Sequence, residues 1–361
     1  PNGDLTVVLY VDDLLTRGSA SATAEFHAAL GKAFDCSSEE YLSVGSPLDF
    51  LGFSVSKELD ASGSVSFYMD QGDAVRELLS DFDFKAVHPK DCPMPTKTLF
   101  DSDPELLGDA DQAVYRHVVG CLNYLARVTR YDIGFAVSRL SRKMACADRG
   151  AWKALVHLLG YISATVDFRI GGSVSGSGDS FHFFVDSDHA GDRGTDTRSQ
   201  SGYLIFLNSF PVDWISRRQP VTSVAPAEAE VYAMREVSVA GRWIQWVAEE
   251  MRIGVCWPFV VQSDSTQAVS FQRSTKPDSK LRGCFDLRDA SVREMRDNYI
   301  LTSKHILRDL NVADMLTHPL SSKKFGDCLG RAQNLQSYSA RGACLDVSSH
   351  LLFLFSLAVR T

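Results

Sequence analysis

Several features are missing from this sequence, and each absence removes a class of protein. The eight cysteines, at 36, 92, 121, 146, 256, 284, 328 and 344, form no C-x-x-C pair, and no histidine is spaced to complete a zinc site with them. Scattered thiols in a chain rich in apolar residues predict reduced cysteines inside a cell, not a disulfide scaffold. No apolar run reaches the ~20 residues that a membrane helix needs; the run from Leu351 to Val359 is far too short. The chain starts on Pro1, in a strand-like pattern with no charged segment leading into an apolar one. No signal peptide is expected, and the chain reads as a piece of a longer product. There is no internal repeat. Positive charge is scarce: 37 Lys plus Arg stand against 45 Asp plus Glu, for a formal charge of −8. Taken alone, that balance argues against a protein that coats nucleic acid without specificity.

What remains is an ordinary globular balance, 45% hydrophobic and 23% charged over 361 residues, enough apolar surface for real cores and length for two or three domains. The first part runs to about residue 168. It has a strand at Leu5 to Val11, a β-rich stretch from Phe50 to Tyr68, and helical patterns at 111–127, 133–144 and 151–163. Residues 169–179, rich in Gly and Ser, read as a linker. The second part, 180–320, alternates strand and helix. Strands are expected at 180–185, 202–207 and 212–216, with 221–224 extending the third, and a long helix at 226–251. A strand at 259–262, helices at 265–271 and 286–297, a strand at 299–307 and a last helix at 312–317 follow. This order predicts one α/β sheet covered by helices. The tail, 321–361, shows no clear period.

The second part places acidic residues where apolar ones are expected. Asp186 ends the strand His182-Phe-Phe-Val185, and Asp264 closely follows Phe259-Val-Val-Gln262. Glu230 lies in line with Met234, Val237, Gly241, Ile244 and Ala248, the apolar stripe of the long helix. Glu228 is roughly 200° away from it. Asp314 opens the last short helix. Each also has a plain structural reading. Asp264 with Gln267, and Asn311 with Asp314, fit capping boxes. Asp186 fits a solvated turn with Asp188 and Asp192, and Glu230 a first-turn residue favoured by the helix dipole. Together, however, carboxylates converging at strand and helix ends repel one another and persist most easily when divalent cations neutralise them. Such a cluster is what two-metal phosphodiester hydrolysis requires.

Asp186-Ser-Asp-His-Ala-Gly-Asp192, Thr197-Arg-Ser-Gln-Ser-Gly-Tyr203 and Ala227-Glu-Ala-Glu-Val-Tyr-Ala233 resemble the ribonuclease H domain of copia-type LTR-retrotransposon Pol polyproteins. Asp264-Ser-Thr-Gln-Ala-Val269 and Asn311-Val-Ala-Asp-Met-Leu-Thr317 resemble its later blocks. Upstream, Tyr10-Val-Asp-Asp13 resembles the reverse transcriptase palm hairpin. Phe50-Leu-Gly-Phe53, Tyr115-Arg-His-Val-Val-Gly120, Thr129-Arg-Tyr-Asp-Ile-Gly-Phe-Ala136 and Leu140-Ser-Arg142 also match the family. The resemblance covers residues 1–325 and implies a ribonuclease H-like mixed sheet with flanking helices, preceded by a truncated α+β palm and a helical thumb or connection. It implies Asp186, Glu230, Asp264 and Asp314 as metal-binding catalytic carboxylates, with Asp12 and Asp13 as the palm pair. The implied cofactor is Mg2+, with Mn2+ as the alternative. The implied partners are an RNA/DNA hybrid and the rest of Pol or a second Pol subunit, with no membrane. The implied location is intracellular, cytoplasmic or in virus-like particles.

The sequence also departs from the family. A palm takes a third Asp from an earlier strand, which would lie before Pro1, so this chain alone is not expected to polymerise DNA. No Lys stands in Cys36–Asp49, Arg282-Gly-Cys-Phe-Asp286 lacks the family's His, and His189 replaces its Trp. The expected activity is therefore metal-dependent hydrolysis of the RNA strand of hybrids. The alternative is an inactive remnant that only binds nucleic acid or a partner. Candidate backbone contacts are Arg193, Arg198, Arg217, Arg218, Lys276, Lys280, Arg282 and Arg288. Helical spacing assigns Trp243 and Trp246 to core packing, and His305 and His318, near Asp314, read first as structural residues, with proton carriage as the alternative.

Overall fold

The computed structural model describes residues 5–61, 63–81, 87–96, 100, 102–173, 180–191, 197–251, 253–254, 257–274 and 290–335. It opens on a hairpin, β1 (Leu5–Tyr10) and β2 (Asp13–Gly18), which forms a sheet of its own. Tyr10 faces Asp13 across a two-residue turn in which Val11 takes a positive φ of 52°. Helix α1 (Ala20–Ala33) follows, capped by the Ser19 hydroxyl. Strands β3 (Leu48–Phe50), β4 (Phe53–Leu59) and β5 (Val65–Asp70) form an antiparallel sheet, and α2 (Gly72–Asp81) leaves its end.

Helices α3 (Asp109–Val128), α4 (Gly134–Ser141) and α5 (Arg149–Ala164) pack together through Tyr115, Leu122, Leu140, Leu155 and Leu158, all fully buried. The block Thr129-Arg-Tyr-Asp132 turns the chain between α3 and α4. There Arg130 and Asp132, with side chains 1% and 0% exposed, pair at 2.9 Å. Tyr161 on α5 donates to the same carboxylate at 2.8 Å. Its charges are matched and hydrogen-bonded, as buried ions must be.

The Gly/Ser-rich stretch begins with a strand. β6 (Arg169–Ser173) pairs antiparallel with β5 and completes the order β3-β4-β5-β6; residues 174–179 lie outside the described residues.

Strands β7 (Phe181–Asp188), β8 (Gln200–Leu207) and β9 (Phe210–Arg218) form an antiparallel meander. β8 is buried along its whole length. The expected extension at 221–224 is not a strand. Pro220 cannot donate to a ladder, and the Gln219 amide instead ties the chain to Ser201 Oγ at 3.0 Å and to the Ala229 carbonyl at 2.9 Å. Helix α6 (Pro226–Glu250) then crosses β7 and β8, with Gly241 letting it approach Phe183 and Phe259. That crossover allows β10 (Phe259–Ser263) to lie parallel to β7.

Helix α7 (Thr266–Arg273), α8 (Ser291–Asp297) and the parallel edge strand β11 (Leu301–His305) complete a five-stranded mixed sheet of order β11-β10-β7-β8-β9. This is the mixed sheet with flanking helices that the resemblance implies. A 3-10 turn, Val312–Leu316, replaces the expected last helix and packs on β7 and β8.

Two further expectations change. The tail contains α9 (Ser322–Gln333), capped by Ser321, whose Phe325, Cys328 and Ala332 enter the core. Trp243 and Trp246 are not core residues but 45% and 54% exposed. They point away from the stripe Met234, Val237, Gly241, Ile244 and Ala248, which is the face buried on the sheet. The Arg242 guanidinium sits 5.4 Å from the Trp246 ring. No helix among the described residues is long and apolar enough to cross a membrane. Cys36, Cys92, Cys121, Cys146 and Cys328 are free thiols.

Candidate active site

Four elements deliver carboxylates to one end of the five-stranded sheet. Asp186 is in β7, opposite Gly202 of β8, and only 5% exposed. It is a buried strand residue and not part of a solvated turn. Glu230 stands in α6, past the first turn that Glu228 occupies. Asp264 follows β10, and it does not cap α7; the Ser265 hydroxyl does, accepting from Ala268 N at 3.2 Å. Asp314 sits in the 3-10 turn that Asn311 caps.

Asp186, Glu230 and Asp314 each feel the charge of Asp264. Burial, then Asp314 and Asp264, push the Asp186 carboxyl up to about 8. Burial, then Asp186 and Asp264, hold Glu230 well above the usual carboxylate range. Asp314 is pushed up to about 6 by burial and then by Asp264. Asp12 and Asp13 do not join them. They are exposed at the turn of the separate β1-β2 sheet.

The site also has supports without charge of their own. Asn311 Nδ2 donates to the Val185 carbonyl at 3.0 Å and to Asp264 Oδ1 at 3.2 Å, bridging β7 and β10. The Thr317 hydroxyl donates to Asp186 Oδ2. His318 Nδ1 lies 3.1 Å from that hydroxyl. Asp186, Asp314 and His318 present ligand atoms all within 4.8 Å of one another. Burial lowers the His318 pKa, which keeps the ring neutral near pH 7. His305 instead meets the Asp264 carbonyl at 3.1 Å. Cys328 of α9 contacts the Val312 carbonyl at 3.4 Å and supports the turn from behind. Asn311 was visible as a cap and Thr317 only as the end of a motif; the contacts of Asn311 to Val185 and of Thr317 to Asp186 span more than a hundred residues and leave no local pattern.

Gly202 sets how closely the turn approaches. A Cβ there would lie 2.7 Å from Leu316 Cβ and 2.8 Å from Thr317 Cγ2. Gly202→Ala should therefore push the Asp314 turn off the sheet and cost ~1–3 kcal/mol of stability. Urea denaturation measures this, and an unchanged midpoint would contradict the geometry.

The set fits a hard divalent cation. Its carboxylates are oxygen donors, and Glu230 Oε2 and Asp314 Oδ1 are buried with no hydrogen-bond partner among the described residues. Of the candidate backbone contacts, Arg217 is committed to buried Glu236, with Nε donating at 2.7 Å. Arg198 and Arg218 are partly buried. Arg193, Lys276, Lys280, Arg282 and Arg288 lie outside the described residues.

No family model matches the chain. It is 26% identical, over 91% of its length, to the retrovirus-related Pol polyprotein of transposon TNT 1-94 from Nicotiana tabacum. It is 29% identical, over 88% of its length, to that of transposon RE2 from Arabidopsis thaliana. It spans 24% and 21% of those two proteins, less than a quarter of their length. A shorter match, 32% identical over 36% of this chain and 90% of its counterpart, is the secreted RxLR effector protein 161 of Plasmopara viticola. Among solved structures, the N-terminal RNase H domain of rv2228c from Mycobacterium tuberculosis aligns at a TM-score of 0.29 and 12% identity. That alignment covers 43% of this chain and 99% of that one.

Proposed function

From the kinship of this chain with the retrovirus-related Pol polyproteins of plant transposons, we propose that it is a copia-type Pol fragment whose sheet-end carboxylates hydrolyse the RNA strand of RNA/DNA hybrids. Residues 1–168 would be the partial reverse transcriptase and 180–320 the nuclease. The observation that carries the reading is the set of carboxylates at the sheet end, Asp186 buried and the others partly so, with two buried oxygens, on Glu230 and Asp314, that have no hydrogen-bond partner among the described residues. Asp186, Glu230, Asp264 and Asp314 would hold Mg2+ or Mn2+. Bound cations would supply charge neutralisation at the scissile phosphate and acidify the attacking water.

The chain's own residues do the positioning. Asn311 fixes the Asp264 carboxylate against β7, and Thr317 orients Asp186. Neutral His318 is placed beside Asp186 and Asp314 to accept a proton. Water would add to phosphorus as the bond to the 3′ oxygen breaks, leaving a 5′-phosphate and a 3′-hydroxyl. Asp12 and Asp13 would belong to a polymerase site that works only in the longer Pol.

The test is cleavage of a labelled hybrid by the whole chain with Mg2+. Wild type should cut the RNA strand, while Glu230→Gln and the EDTA control should not. Equal cleavage in all three would refute the proposal. Binding without cleavage would establish the inactive-remnant alternative.

A further inference from the structure

Asp186, Gly202 and Ser216 stand opposite one another in a single row across β7, β8 and β9. The turn that carries Asp314 lies over the middle of that row, where Leu316 fills the space that a Cβ on Gly202 would take. It is tied down on both sides. On the β7 side, Thr317 donates to Asp186. On the β9 side, the Ser216 hydroxyl donates to the Leu316 carbonyl at 2.6 Å, across 100 positions of sequence.

A further layer stands behind the β9 tie. Gln200, on β8 and 4% exposed, has its amide nitrogen 2.9 Å from Ser216 Oγ and 3.1 Å from Ser138 Oγ on α4. Its amide oxygen accepts from Nη2 of Arg142, at the end of α4, at 2.5 Å. The roles in this chain are fixed by chemistry. A guanidinium only donates, so the Gln200 oxygen faces Arg142 and its nitrogen faces the two serines. The Ser216 hydroxyl has one proton and gives it to Leu316, so it accepts from Gln200. The hydrogen bonds therefore all run one way, from Arg142 through Gln200 and Ser216 to the turn, and bonds in such a chain strengthen one another. Helix α4 also meets the turn directly. A Cβ on Gly134, its first residue, would lie 3.3 Å from Leu316 Cδ2 and 3.5 Å from Ser216 Cβ.

We propose that Gln200 and Ser216 are positioning residues that set where Asp314 stands against Asp186, and that they anchor this geometry to α4, which precedes the Gly/Ser-rich stretch. Both act through the Leu316 carbonyl, one residue from Thr317 and two from Asp314. Loss of either link leaves a buried polar group without its partner and frees one side of the turn. Carboxylates that are to share a cation must keep their spacing, so a loosened turn weakens the cation before it weakens the fold. The part played in catalysis rests on the nuclease reading above; the hold on the turn does not.

The experiment compares Ser216→Ala and Gln200→Met with wild type in the full chain. Hydrogen exchange without metal is read first. In either variant the segment 312–317 should exchange at least about tenfold faster, while 259–263 in β10, which opens only with the sheet, should change less than about twofold. Calorimetry with Mn2+ alone should show a dissociation constant raised about tenfold. With hybrid, kcat should fall and KM stay, because both side chains act through the turn, and excess Mn2+ should restore part of kcat. If Gln200→Met fails to fold, Ser216→Ala, which removes one atom, decides alone. A folded variant in which 312–317 exchanges as in wild type, or speeds up only as much as 259–263, would overturn the proposal. So would an unchanged Mn2+ dissociation constant where wild type binds the ion. A wild type that neither binds Mn2+ nor cuts hybrid refutes the nuclease reading, and exchange at 312–317 then decides the hold on the turn by itself.

Discussion

Asp186→Asn is expected to abolish hybrid cleavage and, in the same protein without metal, to raise the melting temperature. The loss should be at least about 10³-fold, roughly 4 kcal/mol of transition-state stabilisation. Asn has nearly the shape of Asp and can still accept the Thr317 hydroxyl, so the strand and the turn should stay in place. What disappears is a group that ionises readily in the unfolded chain and is costly to ionise in the native one. Burial first, then Asp314 and Asp264, push the Asp186 carboxyl up to about 8. An amide that never ionises removes the cost of reprotonating this group on folding. A carboxylate kept for structure would behave in the opposite way, since removing one partner of a stabilising contact lowers stability. Single-turnover cleavage and thermal melting of the same preparation decide the matter. An active variant, or an inactive one that melts lower, would remove Asp186 from the catalytic set.

The carboxylates were legible because they break a pattern. Asp186 ends a run of core residues, and Glu230 falls on a stripe of apolar ones; both are anomalies that a local window detects. Their plain alternatives were equally local, and for Asp264 and Glu230 the structure removes them for local reasons, while Asn311 keeps its cap on the turn that holds Asp314. Ser265 takes the cap that the sequence offers to Asp264, and α6 begins at Pro226, which leaves Glu230 beyond the first turn.

The supports were not legible in this way. Asn311 reaches Val185 across 126 positions, and Thr317 reaches Asp186 across 131. Such contacts exist only after the sheet has formed. The two tryptophans show the converse failure. Helical spacing places Trp243 and Trp246 near each other on α6, but spacing alone does not say which face is buried; the Met234–Ala248 stripe does. Helix α9 was missed because its apolar positions, Phe325, Cys328 and Ala332, are few and separated by charged and polar residues. Yet it braces the turn that carries Asp314.

Stability without metal should fall as pH rises from about 4 to about 8, and Mg2+ should reverse the fall. The native Asp186 carboxyl holds its proton up to about 8, whereas the unfolded chain releases it near the ordinary value of 3.8. Glu230 is raised in the same direction, and Asp314 is raised to about 6. Between the two limits the native state binds more protons than the unfolded state, so the free energy of unfolding declines with pH. The favourable contribution is complete below the unfolded values and gone above about 8, where the cluster must carry its charges uncompensated. Three groups shifted this way together amount to several kcal/mol.

A divalent cation held by these carboxylates would bind the ionised native set and not the unfolded chain. Its stabilisation should therefore be small at pH 5 and large at pH 8.5, growing with concentration by mass action. Melting curves at both pH values, with EDTA and with a Mg2+ series, measure this directly. In Asp186→Asn the metal-free decline should flatten and the Mg2+ response should shrink. A wild-type protein whose melting temperature rises through this pH range without metal, or ignores Mg2+ at pH 8.5, would show that these carboxylates are not held as a cation site.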